Sequence, residues 1–245
     1  MTSNPMPDVG HSPAVEDYLR AIYQLSEQSE PTDARITTSH LAERLAVRPA
    51  SVTAMLQKLA ATTPALVDYH KNHGARLTAA GERAALGVVR NHRLLELFLH
   101  EKLGFRWDEV HDEADRLEHA INEATAARID AALGHPARDP HGHAIPDGDL
   151  SLPRPAAVPL SGLIAGQSAI ICHVADEDAE LLRYLDAIGL RPGRLIEVVR
   201  CDLEEELLWL RIDDEDPLPL GPGVTAHVFV DDRPVGDEAE DHQNV

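Results

Sequence analysis

The chain has 245 residues, 43% hydrophobic but only 4% aromatic, enough for one large or two small domains with a mainly aliphatic core. Its formal net charge of −20 excludes a uniformly basic surface, no apolar run approaches the length of a membrane span, and the N-terminus has neither the basic start nor the apolar stretch of a secretion signal. Cys172 and Cys201 stand far apart with no C-x-x-C pair, so a disulfide framework is not indicated and a soluble cytoplasmic protein is expected.

Residues 1–13 carry three prolines and no periodicity, and read as disordered. Residues 14–29 predict a helix with Val15, Leu19, Ile22 and Tyr23 on one face. A polar break at 30–35 follows. Thr38 or Ser39 is the expected N-cap of a short helix ending near Leu45. Ala46-Val47-Arg48 makes a tight connection, and Pro49 suits the first turn of a helix over about 50–61, with Val52, Leu56 and Leu59 facing inward. Residues 65–78 alternate around a turn at Asn72 to Gly74, which predicts a β-hairpin. Helix, short turn, helix, then hairpin is the order of a winged helix-turn-helix.

A long helix is expected from Thr78 or Ala79 to about His100, and another over Trp107 to Leu133, ended by Gly134. Residues 134–161, rich in Pro, Gly and His, read as a linker; its His135, His141 and His143 could bind metal, but an ordinary loop is the favoured reading. Four apolar strands (168–174, 195–200, 206–212 and 225–230), a helix near 177–188 and glycine-proline punctuation predict a small β-barrel. Residues after Asp231 form an acidic tail.

Charge is unevenly distributed. Residues 31–100 hold nine Lys or Arg against five Asp or Glu, so the helix-turn-helix segment is locally basic by four. A recognition helix presents its N-terminal residues to base edges, here Arg48, Ala50, Ser51, Thr53 and Ala54. Lys58, Lys71 and Arg76 are placed for backbone phosphates. In the run from His111 to His119, His111, Asp115, Glu118 and His119 share one helical face, and His92 and Glu96 repeat the i, i+4 spacing on the preceding element. Imidazoles and carboxylates converging from two helices are what a divalent transition metal requires, whereas an isolated pair of this kind is usually a solvated surface.

Glu16 to Tyr23, Asn91 to Glu96, Val110 to His119 and Asp139 to Pro146 together resemble the diphtheria toxin repressor family of metal-dependent regulators, over about Val15 to Asp231. The resemblance implies a mostly α fold with a small β part. Its parts are a winged helix-turn-helix (14–79), a helical metal-binding and dimerisation domain (80–134), a linker (135–161) and an SH3-like, FeoA-type β-barrel (162–232), with an acidic tail at 233–245. It also implies two metal positions. The primary one uses Asp17, Asp115, Glu118 and His119. The ancillary one uses His92, Glu96 and His111 with an oxygen ligand from Asp176 or Glu177, Asp178 being a further candidate.

Iron-responsive members carry Met and Cys where this chain has Asp17 and Asp115, and harder oxygen ligands suit Mn(II). The chain therefore resembles the manganese-responsive three-domain branch. Small two-domain manganese regulators carry an acidic residue where this chain has Arg20, so their closely spaced metal pair is not expected. The expected function is a Mn(II)-activated homodimeric repressor of metal-uptake genes, bound to a palindromic operator in double-stranded DNA, with no membrane partner. Alternatives are an Fe(II)-responsive regulator of the same build, a metal-dependent hydrolase, and a metal-buffering or adaptor protein whose barrel binds Pro-rich segments such as Arg154-Pro155.

Overall fold

The computed structural model describes residues 11–27, 35–153, 157–213 and 215–231. The N-terminal segment 1–10, most of the polar break, Arg154-Pro155 and the acidic tail lie outside them. The chain divides into two compact units, Met1–Asn91 and His92–Val245.

In the first unit, α1 (Pro13–Glu27) buries Val15, Tyr18, Leu19, Ile22 and Tyr23 along one face. The α2 helix (Thr38–Arg44) is capped one residue earlier than Thr38, because the Thr37 side chain accepts the His40 N–H. A turn with Ala46 at φ 51° leads into α3 (Pro49–Ala60), whose Val52, Leu56 and Leu59 are buried. The missing N–H of Pro49 costs nothing in a first turn. Strands β1 (Val67–His70) and β2 (Gly74–Leu77) pair antiparallel around Asn72. Ile36 adds a single bridge to Ala75, giving this hairpin a third edge. Gly74 allows that approach: its φ is +86°, and a Cβ there would stand 2.4 Å from the Ile36 carbonyl oxygen. Thr78 accepts the Gly81 N–H at the start of α4 (Ala79–Leu103), which continues into the second unit.

In the second unit, Leu94, Leu95, Leu97 and Leu99 of α4 pack against α5 (Val110–Leu117) and α6 (Glu123–Leu133). The single helix expected over Trp107 to Leu133 is interrupted. Glu118–Ala120 form a 3-10 turn, Ile121 is extended, and Asn122 caps α6 by accepting the Thr125 N–H. A local side-chain cap here outcompetes helix continuation. Gly134, at φ 79°, closes α6 as expected.

Part of the expected linker is folded. Arg138 bridges Ala144, and one oxygen of Asp139 accepts the N–H groups of His141 and His143. Gly142 lets this loop lie on the following sheet, since its φ is +91° and a Cβ would fall 2.2 Å from the Cys172 carbonyl oxygen.

The C-terminal sheet has six antiparallel strands in the order β3-β8-β4-β5-β6-β7. These are β3 (Ala157–Pro159), β4 (Ser168–Val174), β5 (Leu195–Asp202), β6 (Leu207–Ile212), β7 (Leu218–Leu220) and β8 (Val228–Asp231). Helix α7 (Ala179–Ala187), capped by Asp178, and short α8 (Pro222–Thr225) complete the domain. Its core includes Ile171, Leu182, Leu185, Ile196, Val198, Leu210 and Val230. Trp107, from the loop before α5, joins that core, and Arg183 on α7 pairs with Asp108 at 3.2 Å. The sheet domain is thereby fixed to the helices that carry the clustered imidazoles. Among the described residues, no helix is long and apolar enough to cross a membrane.

Candidate metal centre

The candidate DNA-contacting residues lie in the first unit. Arg48, Ala50 and Ser51 are exposed at the start of α3, and Lys58 is exposed near its end. Thr53 is half-buried and its hydroxyl donates to the Pro49 carbonyl at 3.1 Å, leaving its oxygen as an acceptor. Lys71 is exposed at the hairpin tip. Arg76 is exposed on β2 and contacts Asp68 at 3.0 Å. Asp68 also receives Arg35 at 2.6 Å and lies 3.0 Å from His70. The Arg35 hydrogen bond, acting against slight burial and aided by Arg76, holds the Asp68 carboxyl below the ordinary aspartate value.

The second unit gathers the metal-ligating side chains. His92 and Glu96 are one turn apart on α4, His111 and Asp115 one turn apart on α5, and Glu118 and His119 sit on the 3-10 turn. His92 Nδ1 lies 2.7 Å from Glu118 Oε2 and 3.2 Å from Asp115 Oδ1. Its other nitrogen, Nε2, lies 3.0 Å from Glu96 Oε1 and 3.2 Å from His111 Nδ1. His111 Nδ1 is 3.2 Å from Glu96 Oε1 and 3.8 Å from Asp176 Oδ2. One ligand atom each from His92, Glu96, His111 and Asp176 lies within 4.8 Å of the others, and His92, Asp115 and Glu118 form a second such group.

Of the three acidic candidates before α7, Asp176 enters this cluster. Glu177 is exposed and belongs to no such group among the described residues, and the Asp178 side chain caps α7. Asp17 is half-buried on α1.

The loop histidines, favoured as ordinary loop residues by sequence, lie beside this cluster. His141 is fully buried, with Nδ1 3.7 Å from Glu96 Oε1 and 3.9 Å from Asp176 Oδ2. His143 Nδ1 stands 3.4 Å from Asp139 Oδ2 and 3.6 Å from Asp176 Oδ2. The one available signal was the motif Asp139-Pro140-His141-Gly142-His143, which local periodicity cannot place in space.

Burial opposes a charge on His92, yet Glu96, Asp115 and Glu118 outweigh it and raise its pKa well above the usual value. Burial likewise opposes charge on His141, and Glu96 overrides it, lifting the pKa to about 10. Burial would raise Glu96, but the surrounding imidazoles hold it well below the ordinary glutamate range. Asp176 is lowered in the same way, against burial, chiefly by His143. Imidazoles raised in this way between lowered carboxylates would release protons on binding a divalent cation. The fit to a cation is supported by Glu96 Oε2 and His141 Nδ1, both buried without a hydrogen-bond partner. Cys172 and Cys201 are on β4 and β5 and join none of the ligand groups among the described residues.

Family models match three successive stretches of the chain. They are described as the N-terminal DNA binding domain of iron dependent repressors (residues 11–75), the metal binding and dimerisation domain of iron dependent repressors (78–147), and the FeoA domain (158–232). The iron-dependent repressor IdeR of Mycobacterium leprae is 32% identical over 197 residues, covering 75% of this chain and 82% of that protein. The HTH-type transcriptional regulator MntR of Oceanobacillus iheyensis is 37% identical over 118 residues, covering 48% of this chain and 76% of that protein. A manganese-dependent transcriptional repressor solved in complex with manganese superposes with a TM-score of 0.81 at 38% identity, covering 88% of this chain and 98% of that one.

Proposed function

The chain belongs to the diphtheria toxin repressor family of DNA-binding, metal-dependent transcriptional repressors, which are not enzymes, and we propose that it is a Mn(II)-activated repressor of metal-uptake genes that binds a palindromic operator as a homodimer. The observation that carries the choice of metal is the donor set. Carboxylate oxygen and imidazole nitrogen converge, and no cysteine joins the ligand groups among the described residues. Mn(II) lies lowest in the affinity order for divalent metals, so a site that favours it does so with hard ligands and geometry rather than softness. Fe(II) is the second reading, favoured by the iron-dependent relatives, because the same donors accept it.

By motif, Asp17, Asp115, Glu118 and His119 hold the primary ion, and His92, Glu96, His111 and Asp176 the ancillary one. When bound, the ion supplies the positive charge that balances these carboxylates. In the proposed mechanism, ligation of Asp17 favours the ordered form of the DNA-binding helices. Arg48, Ala50 and Ser51 then present an exposed surface to base edges, with Thr53 offering an acceptor oxygen, and Lys58, Lys71 and Arg76 engage phosphates. Half-site spacing in a dimer is geometric, so fixing two recognition helices favours one palindrome.

Asp17→Met tests the metal reading. Fluorescence anisotropy with operator DNA should show Mn(II) activation weakened relative to Fe(II) and Co(II). An unchanged Mn(II) response would remove the donor-hardness argument, and DNA binding indifferent to both Mn(II) and chelator would remove the repressor mechanism.

A further inference from the structure

The hairpin carries a charge cluster that the metal centre does not use. Asp68 and His70 on β1 and Arg76 on β2 share the face turned away from the core, because strand side chains alternate and Asp68 pairs with Arg76 across the ladder. Arg35, next to the bridge between Ile36 and Ala75, reaches the same carboxylate. Both of its Nη groups are engaged, one donating to the Asp68 carbonyl oxygen at 2.7 Å and the other to Oδ2 at 2.6 Å. Arg76 is held differently, donating through Nε to Oδ2 at 3.0 Å. His70 Nε2 lies 3.0 Å from the other oxygen, Oδ1.

A carboxylate on a surface that meets DNA is at first sight a defect, since it repels phosphate. Here two guanidinium groups already offset its charge, and what it adds is direction. A guanidinium carries five N–H donors in a rigid plane. With Nε tied to Asp68 the plane of the Arg76 fork is set, while its two Nη groups stay available on a side chain that is 51% exposed. Two parallel N–H groups of this kind match two phosphate oxygens. Arg35 is 24% exposed with both Nη groups spent on Asp68, so it fixes the carboxylate to the hairpin and leaves the reaching to Arg76. Exposed Lys58 and Lys71 are point charges on flexible stems and have no comparable fork to aim.

We propose that Asp68 is a positioning residue of the DNA interface: by holding Arg76 Nε it aims both Nη groups at one backbone phosphate, so that an acidic side chain strengthens DNA binding. This rests on the reading that Arg76 engages a phosphate. Simple charge counting predicts the reverse, because removing a negative charge from a surface facing DNA should tighten binding. The competing arrangement is a carboxylate that occupies Arg76 in place of phosphate and must be displaced by it. Attachment through Nε argues against this, since a phosphate that takes the two Nη groups need not break the Nε–Oδ2 bond.

The test is fluorescence anisotropy of the full-length, Mn(II)-loaded protein with a random-sequence duplex across a salt series, because phosphate contacts carry no sequence information. Wild type, Asp68→Asn, Arg76→Ala and the double variant form a mutant cycle, measured well below their melting temperatures. Asp68→Asn should weaken binding by roughly 3- to 10-fold, in the range of coupling between touching side chains, and reduce the slope of log K against log salt by up to about 0.9. In the Arg76→Ala background the same substitution should cost nothing further. Unchanged or tighter binding by Asp68→Asn, with Arg76→Ala weakened, overturns the proposal alone. An equal loss from Asp68→Asn in both backgrounds also overturns it, by showing that Asp68 acts through the fold. Unchanged affinity and slope in Arg76→Ala overturn the underlying phosphate reading. Should Asp68→Asn not fold, Arg76→Lys decides, since it keeps the charge and lacks the fork: it should lose nearly as much as Arg76→Ala, and binding equal to wild type refutes an aimed guanidinium.

Discussion

Gly142→Ala tests how the loop is held on the sheet. Gly142 combines a φ of +91° with backbone so close that a Cβ would stand 2.2 Å from the Cys172 carbonyl oxygen and 2.9 Å from the His173 Cα. The left-handed conformation alone costs a non-glycine residue about 1–2 kcal/mol, and overpacking against backbone adds about 1–3 kcal/mol. Backbone cannot rotate aside as a side chain can, so the loop must lift from β4, breaking the Val174 N–H to His141 carbonyl bond and withdrawing His141 from Glu96. At about 3 kcal/mol, and about 2–4 °C per kcal/mol for a domain of this size, the melting temperature falls by roughly 6–12 °C. Gly134→Ala is the control. Its φ is +79° but a Cβ there meets nothing within 4 Å, so only the conformational cost of about 1–2 kcal/mol remains. Differential scanning calorimetry of both variants compares the two costs. If Gly142→Ala melts within about 1 °C of wild type, or no lower than Gly134→Ala, the close packing of the loop on β4 is refuted.

Lys71→Ala should reduce the slope of log K against log salt by about 0.9 while leaving Mn(II) affinity unchanged, as expected for one lost phosphate contact; an unchanged slope removes Lys71 from the DNA face. Asp68→Asn should flatten the acid limb of stability. The Asp68 pKa is depressed in the fold, so its contribution is present above the ordinary value near 3.8 and disappears as pH falls through the depressed value. Melting of the wild type and Asp68→Asn should therefore differ at neutral pH and converge in acid, and parallel curves would contradict the pairing with Arg35. Ser51→Ala should weaken specific operator binding, measured by anisotropy, without altering Mn(II) affinity by calorimetry; equal loss on specific and random DNA would reassign Ser51 to backbone contact.

The winged helix was legible because its signals are local: Pro49 in a first turn, inward Val52, Leu56 and Leu59, and the turn at Asn72 to Gly74. The His92, Glu96, His111 and Asp176 cluster was legible only in parts. Helical spacing marks the α4 and α5 members, whereas Asp176 lies between β4 and α7, where no period distinguishes it from Glu177. The break at Glu118–Asn122 was missed because the apolar pattern continues through Ile121 and Ile129, and only the Asn122 cap interrupts the helix. Strands β3 and β7 were missed because each contains proline, Pro159 and Pro219, which is tolerated at the ends of the strand order where one edge needs no ladder bond. His141 was hidden for a different reason. Its approach to Glu96 and Asp176 depends on the loop turning at Asp139 and lying on β4, a long-range placement that composition alone reads as a linker.

The most direct measurement is a titration of Mn(II), Fe(II), Co(II) and Zn(II), with Fe(II) handled anaerobically, against the metal-free protein mixed with a pool of genomic promoter fragments, with captured DNA sequenced. The account predicts that Mn(II) triggers capture of one palindromic sequence and that chelator reverses it. Capture only with Fe(II) would contradict the metal assignment, and metal-independent capture, or none with any ion, would contradict a metal-activated repressor.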